Sequence, residues 1–175
     1  RTKFGFLFQS AGLLDSLTVG ENVGLGLKQR SGLSDAEIRR IVDEKLTMVG
    51  MAGIEDIMPA DLSGGMKKRA GLARAIAMEP EIVLYDEPTT GLDPIMADSI
   101  NELILFLKHE LNITSVVVTH DMISARKVGN RVAMLDEGKI IFNGTMENLD
   151  HADNPVVRQF IEGRSETQFA QNASS

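Results

Sequence analysis

Two short apolar runs, Ile82-Val83-Leu84-Tyr85 and the β-branched stretch from Thr114 to Thr119, flank a segment of helical length, and no other feature of the chain constrains its fold as tightly. The intervening segment opens on Asp93-Pro94, an N-cap followed by proline at the first helical position, and continues as a long amphipathic stretch from Ile95 to Leu111. Strand, helix and strand in that order predict a parallel sheet in an α/β protein. Both runs have the apolar density of central strands.

Further elements precede and follow this unit. Phe4-Gly5-Phe6-Leu7-Phe8 reads as a buried strand ending at Gln9, followed by a turn-rich loop with Gly12, Asp15 and Ser16 and a helix from Val19 to Gln29 whose three glycines weaken it. Ser34-Asp35-Ala36-Glu37 is a capping box, and Ile38, Ile41, Val42, Leu46 and Val49 follow at helical spacing until Gly50. A helix is expected from Gly64 to Met78, packed through Leu72, Ala73, Ile76 and Ala77. Arg131 to Leu135 and Lys139 to Asn143 flank the turn Asp136-Glu137-Gly138 and predict two edge strands. Asn154-Pro155 starts a short helix through Val156, Val157, Phe160 and Ile161, and the polar Arg164 to Ser175 is expected to be mobile.

At 175 residues, with 43% hydrophobic and 25% charged content, the chain can bury one good core. A net charge of -7 argues against broad nucleic-acid binding, and Lys67, Lys68, Arg69 and Arg74 read as a solvated helix face rather than a phosphate-backbone patch. The absence of cysteine rules out disulfides and thiolate metal sites and fits a reducing compartment. The nine methionines are scattered, as core filling requires. No apolar run approaches the length of a bilayer span, so membrane association is expected through a partner. The chain opens on Arg1 directly before a strand, which suggests a piece of something longer.

The chemistry concentrates at two places. Ser63-Gly64-Gly65 begins a helix, where glycines let a backbone approach an anion and unpaired N–H groups and the helix dipole favour negative charge. Asp86-Glu87 ends the apolar run from Ile82, and ligands of open α/β sheets bind at the carboxyl ends of strands. Together they point to nucleoside triphosphate hydrolysis, with Asp86 holding Mg²⁺, through water, and Glu87 orienting and deprotonating the attacking water. Taken singly, Ser-Gly-Gly is a flexible turn, the acids a solvated strand end, and His120 a hydrogen-bonded residue beside a helix start with Asp121 as cap.

In motif order these residues resemble the ATP-binding cassette (ABC) ATPases, the nucleotide-binding subunits of ABC transporters. Gln9 matches the Q-loop glutamine, Leu62 to Gly65 the signature, Ile82 to Glu87 the Walker B strand, Gly91-Leu92-Asp93 the D-loop and His120 the switch histidine. The resemblance implies a P-loop NTPase-like fold, a RecA-like core sheet with a helical subdomain, truncated at its N-terminus. It divides the chain into a helical subdomain at about 10–75, a catalytic core at 76–150 and a C-terminal helix and tail at 151–175. It implies ATP and Mg²⁺ as ligands and a head-to-tail homodimer in which Ser63, Gly64 and Gly65 touch the γ-phosphate held by the other copy. Gln9 would sense Mg²⁺ and the attacking water, His120 would contact the γ-phosphate, and Asp93 would couple the two sites.

Two departures stand out. Met66 replaces the commonest glutamine of the signature, and no Gly-x-x-x-x-Gly-Lys-Ser/Thr occurs anywhere in the 175 residues. The expectation is that these residues alone bind ATP poorly and hydrolyse it negligibly, whereas the complete cassette is an ATPase.

Within the family the resemblance narrows toward ATPases of Mce-type lipid transporters, the group of the maintenance-of-lipid-asymmetry system. It rests on Phe6-Leu7-Phe8-Gln9-Ser10 with Leu13-Leu14, on the Leu62 to Met66 signature with Arg69 and Arg74 behind it, and on Asn154-Pro155 to Phe160-Ile161-Glu162-Gly163. The partners implied are an integral-membrane permease, an Mce-domain lipid-binding protein and a small cytoplasmic regulatory subunit, with the chain on the cytoplasmic face of the inner membrane or of a plastid envelope. Other readings stay open: an ATPase serving another imported substrate, a soluble cassette of translation or DNA maintenance, or a non-hydrolysing partner lending its signature to another cassette.

Overall fold

A computed structural model describes residues 3–30 and 32–163, so the expectation for the tail from Arg164 lies outside the described residues. Within them the chain forms two compact units that divide between Val128 and Gly129.

The first unit is built on a three-stranded parallel sheet of β1 (Phe4–Leu7), β2 (Ile82–Asp86) and β3 (Thr114–Val118) in the order β1-β2-β3. Leu84 pairs with Phe6 on one side and Val116 on the other, which makes β2 the central strand. Between β1 and β2 run α1 (Val19–Arg30), α2 (Asp35–Met48), a 3-10 turn at Pro59–Asp61 and α3 (Gly64–Ile76); α4 (Pro94–Glu110) crosses from β2 to β3, and α5 (Met122–Val128) follows. One core joins Val19, Val23, Val42, Leu46, Leu72 and Ile76 of the helices to Leu7, Val83 and Tyr85 of the sheet and to Ile100, Ile104 and Leu107 of α4.

Local signals set most helix starts. Ser34 and Glu37 form the reciprocal capping box of α2, and Asp93 Oδ1 accepts from the N–H groups of Ile95 and Met96 at the head of α4. Gly24 lets α1 lie close on α2, since a β-carbon there would stand 3.2 Å from Ile38 Cγ2 and 3.3 Å from Val42 Cγ2.

Two expectations need correction. The strand at Phe4 is not buried: Leu7 faces the core, whereas Phe4 and Phe6 are 48% and 46% exposed. The same open face carries Val116 and Val118, because side chains alternate across a strand and the register aligns these positions. β3 is an edge of the described sheet rather than a central strand. α3 packs on β1 with Gly71 against Leu7 and Ala11, so helices and sheet of the first unit share a core.

The second unit contains the antiparallel hairpin of β4 (Arg131–Asp136) and β5 (Lys139–Thr145), with α6 (Met146–Asp150) and α7 (Pro155–Glu162). The expected hairpin is thus a two-stranded sheet of its own. Thr145 caps α6 and Asn154 caps α7, whose helix ends on the left-handed Gly163. Among the described residues no helix is long and apolar enough to cross a membrane.

Candidate functional site

The site assembles where β2 ends. Asp86 is the last residue of that strand, paired in register with Val118, and its side chain lies at the exposed end of the sheet. Glu87 then turns the chain sharply, with φ +46°, a left-handed conformation that costs a residue other than glycine roughly 1–3 kcal/mol. Four contacts hold it. Its N–H donates to the Val118 carbonyl at 2.9 Å, its own carbonyl accepts from Lys68 Nζ at 2.8 Å, Thr90 Oγ1 donates to Oε2 at 2.8 Å, and Oε1 accepts from His120.

The His120 contact is double. Its backbone N–H reaches Glu87 Oε1 at 3.1 Å and its Nδ1 reaches the same oxygen at 2.8 Å. An ionised carboxylate only accepts, so Nδ1 carries the proton here, and Nε2 makes no hydrogen bond among the described residues. The pair shifts both partners. Burial pushes the Glu87 carboxyl upward, but the hydrogen bonds from His120 and Thr90 outweigh it and hold the group below its ordinary value. The Glu87 hydrogen bond, followed by its charge, raises His120 above its ordinary value.

His120 is itself anchored by the start of α5. Asp121 caps that helix, accepting from Ile123 N, Ser124 N and Ser124 Oγ, and the buried Ser124 hydroxyl also accepts from Asn101 Nδ2 of α4 and lies 3.3 Å from Thr89 Oγ1. The histidine loop and the turn after Glu87 are therefore linked a second time, through Ser124 of α5.

Gln9 sits just past β1, with an exposed side chain and a backbone carbonyl that accepts from Lys68 Nζ at 2.7 Å. Ser63, Gly64 and Gly65 stand at the N-terminal end of α3. Ser63 is exposed and caps the helix by accepting from Met66 N at 3.3 Å; Gly64 is exposed; Gly65 is buried, and a β-carbon there would collide with Met96 Cε of α4. The obstacle at Gly65 is the flexible tip of Met96, which can swing aside. Asp93 is exposed and engaged in capping α4.

The structure brings Asp86, Glu87, His120 and the Gln9 carbonyl together, and leaves Ser63, Gly64 and Asp93 on exposed helix starts. A metal cage of three or more acidic, histidine or cysteine side chains is absent among the described residues. One exposed carboxylate at the end of a central strand suits an ion that keeps most of its water and takes further oxygens from a phosphate, as Mg²⁺ does.

The basic residues of α3 correct the reading of a solvated face. Lys68 is 5% exposed. Arg69 donates to the Val49 carbonyl at 2.7 Å and to Ser99 Oγ at 2.8 Å, and Arg74 donates to the Gly12 and Ala11 carbonyls while its guanidinium lies over the Phe8 ring. Lys68 and Thr90 escaped the sequence reading. Spacing held a signal for Lys68, which lies one helical turn before Leu72 and two before Ile76, both wholly buried.

A protein-family model described as ABC transporter matches residues 1–90. The chain is 42% identical over 164 residues to the probable ribonucleotide transport ATP-binding protein mkl of Mycobacterium tuberculosis, covering 94% of this chain and 46% of that protein. It is 40% identical over 166 residues to the intermembrane phospholipid transport system ATP-binding protein MlaF of Haemophilus influenzae, covering 95% and 63%. It is 42% identical over 166 residues to the methionine import ATP-binding protein MetN of Erwinia pyrifoliae, covering 94% and 51%. Among solved structures, a dimeric post-hydrolysis state of the ATP-binding cassette MJ0796 bound to ADP and Pi aligns with TM-score 0.73 and 37% identity over 83% of this chain and 63% of that one. The chain thus spans roughly half to two thirds of the length of these relatives.

Proposed function

Since the chain belongs to the ABC transporter family of ATP-binding proteins, we propose that it is the ATP-hydrolysing subunit of a transporter and that Asp86, Glu87 and His120 form its hydrolytic centre. The observation that carries this reading is the 2.8 Å contact between Glu87 and His120 at the carboxyl end of the central parallel strand, beside Asp86.

In this arrangement Glu87 holds the water that attacks the terminal phosphate and accepts its proton. Both its oxygens already accept hydrogen bonds, which keeps it a weak base until His120 turns to another partner. His120, raised by the carboxylate, carries a second proton more readily than an ordinary histidine and can then donate from Nε2 to a phosphate oxygen. Asp86, with Gln9 nearby, would hold Mg²⁺, which when bound neutralises charge on the phosphates. Ser63, Gly64 and Gly65 at the head of α3 would meet the nucleotide of a second copy, and Asp93 would lie at that contact. The active unit is then a homodimer of cassettes.

The transported molecule is a lipid in this reading. Its support is the similarity to MlaF together with the Phe6 to Ser10, signature and Asn154 to Gly163 segments. The partners would be an integral-membrane permease, an Mce-domain protein and a small regulatory subunit, with the chain peripheral on the cytoplasmic face of the inner membrane. The 42% identity to MetN, against 40% to MlaF, favours one second reading, an importer of an amino acid.

In a complete cassette carrying a phosphate loop, Glu87→Gln is expected to abolish turnover while ATP-driven pairing persists, because base function is lost and little binding surface changes. Unchanged turnover would remove Glu87 from the mechanism. The 175 residues alone should show neither micromolar ATP binding nor turnover. Purification of the complex with its permease decides the cargo: bound phospholipid supports the lipid reading, and bound methionine or another amino acid defeats it.

A further inference from the structure

Lys68 lies on α3, one turn beyond Gly64, and its side chain is almost wholly buried. A buried ammonium ordinarily finds a carboxylate. This one finds none within ion-pair distance among the described residues and donates to two backbone carbonyls, those of Gln9 at 2.7 Å and Glu87 at 2.8 Å. The two acceptors belong to segments far apart in sequence, one ending β1 and the other ending β2.

Both carbonyls sit at turns that need support. Glu87 has φ +46° and precedes Pro88, a position where the following ring already narrows the choice of backbone conformation. Its carbonyl also accepts from Thr90 N at 3.4 Å, a long bond that would hold the turn poorly alone. After Gln9, Ala11 takes φ +64° and Gly12 φ +62°, and that loop is held by Ala11 N to the Phe8 carbonyl at 2.8 Å. Burial holds the Lys68 ammonium below its ordinary value, and the Glu87 and Asp86 carboxylates offset only part of that.

We propose that Lys68 is a positioning residue: its ammonium pins the Glu87 carbonyl and the Gln9 carbonyl to helix α3, setting the direction of the Glu87 carboxylate. This rests on the hydrolytic reading of Glu87, and adds a consequence. The head of α3 carries Ser63 and Gly64, the residues that would meet a second copy's nucleotide, so a displacement of this helix reaches both the Gln9 loop and the Glu87 turn of its own subunit through one side chain. Lys68 does not touch nucleotide; it acts through the two backbones it holds.

The test has two arms. Amide hydrogen exchange on the 175-residue chain compares wild type with Lys68→Met. Exchange should quicken at least tenfold at Glu87, Thr90 and Ala11, while Val83 to Tyr85 and Leu72 to Ile76 keep their protection. Unchanged exchange at the two turns, or equal loosening throughout α3 and β2, overturns the proposal. If Lys68→Met does not fold, Lys68→Gln is measured in its place against the same criteria.

In the complete cassette Lys68→Met should lower kcat at least tenfold with KM for ATP changed less than threefold, and Lys68→Arg, which keeps charge and donors, should recover part of the loss. Wild-type kcat in folded Lys68→Met overturns the proposal. A complete wild-type cassette that does not hydrolyse ATP, combined with the expected exchange pattern, would sink the hydrolytic reading and leave the positioning of the two turns standing.

Discussion

Gly5 in β1 lies close against the backbone of α3. A β-carbon added there falls inside the van der Waals envelope of the Ala75 carbonyl oxygen and stands 3.1 Å from both the Ala75 carbonyl carbon and Pro80 Cγ. The obstacle is helix backbone rather than the flexible tip of a side chain, so Gly5→Ala must push α3 and β1 apart. Overpacking by one methyl costs about 1–3 kcal/mol, and a backbone obstacle places this case near 3. At roughly 2–4 °C per kcal/mol for a chain of this size, Tm should fall by about 6–12 °C in a calorimetric or circular-dichroism melt. Gly64→Ala is the control, since its β-carbon would meet only Leu92 Cδ2 at an ordinary 3.5 Å, and it should melt within about 4 °C of wild type. A Gly5→Ala melt within 2 °C of wild type would refute the packing argument, because the helix would then have retreated at no cost. The same retreat draws Lys68 away from Gln9, so loop and stability effects should appear together.

The remaining predictions concern the charged groups. His120 should titrate above the ordinary 6.5 in an NMR pH series and return toward it in Glu87→Gln, since the Glu87 hydrogen bond is the main cause of the shift; an unmoved midpoint would break the pair. Sign follows from linkage. His120, raised, stabilises the fold below about 6.5 and loses that as pH rises through its folded pKa; Glu87, lowered, stabilises above about 4.5 and loses that as pH falls through its own. The pair's contribution to a pH series of urea melts should therefore be fullest between those two values and absent from His120→Ala. Asp93→Ala should cost about 1 kcal/mol in urea unfolding, with Asp93→Asn nearly neutral, because Oδ1 caps two N–H groups of α4 and an amide oxygen can do the same.

Local signals were legible and tertiary ones were not. Ser34-Asp35-Ala36-Glu37, Asp93-Pro94 and Asn154-Pro155 each mark a helix start in the structure, since capping is a contact between residues two or three apart. The candidate residues Asp86, Glu87 and His120 were readable because strand ends and motif order place them. Which face of β1 would be covered was not readable: an apolar run of Phe4, Phe6 and Phe8 has the same pattern whether or not something packs on it. The seven-residue α5 and five-residue α6 are too short for a periodic signal. The cations of α3 were misread because charge suggests solvent, whereas Lys68 and Arg74 end on backbone carbonyls that only the folded loop presents.

The left-handed turn at Glu87 links these observations. Its conformation is costly by itself, and the contacts that offset the cost come from separate pieces of chain: Val118 at the end of β3, Lys68 on α3, Thr90 in the following turn and His120 in the loop before α5. Three of these contacts have a charged partner, which makes them stronger than neutral ones, so losing one or two weakens the hold on the turn. The direction of the carboxylate is therefore set jointly by the sheet, α3 and the histidine loop. A turn held this way keeps its geometry only when all of these elements are in place, and moving any one of them shifts the Glu87 carboxylate.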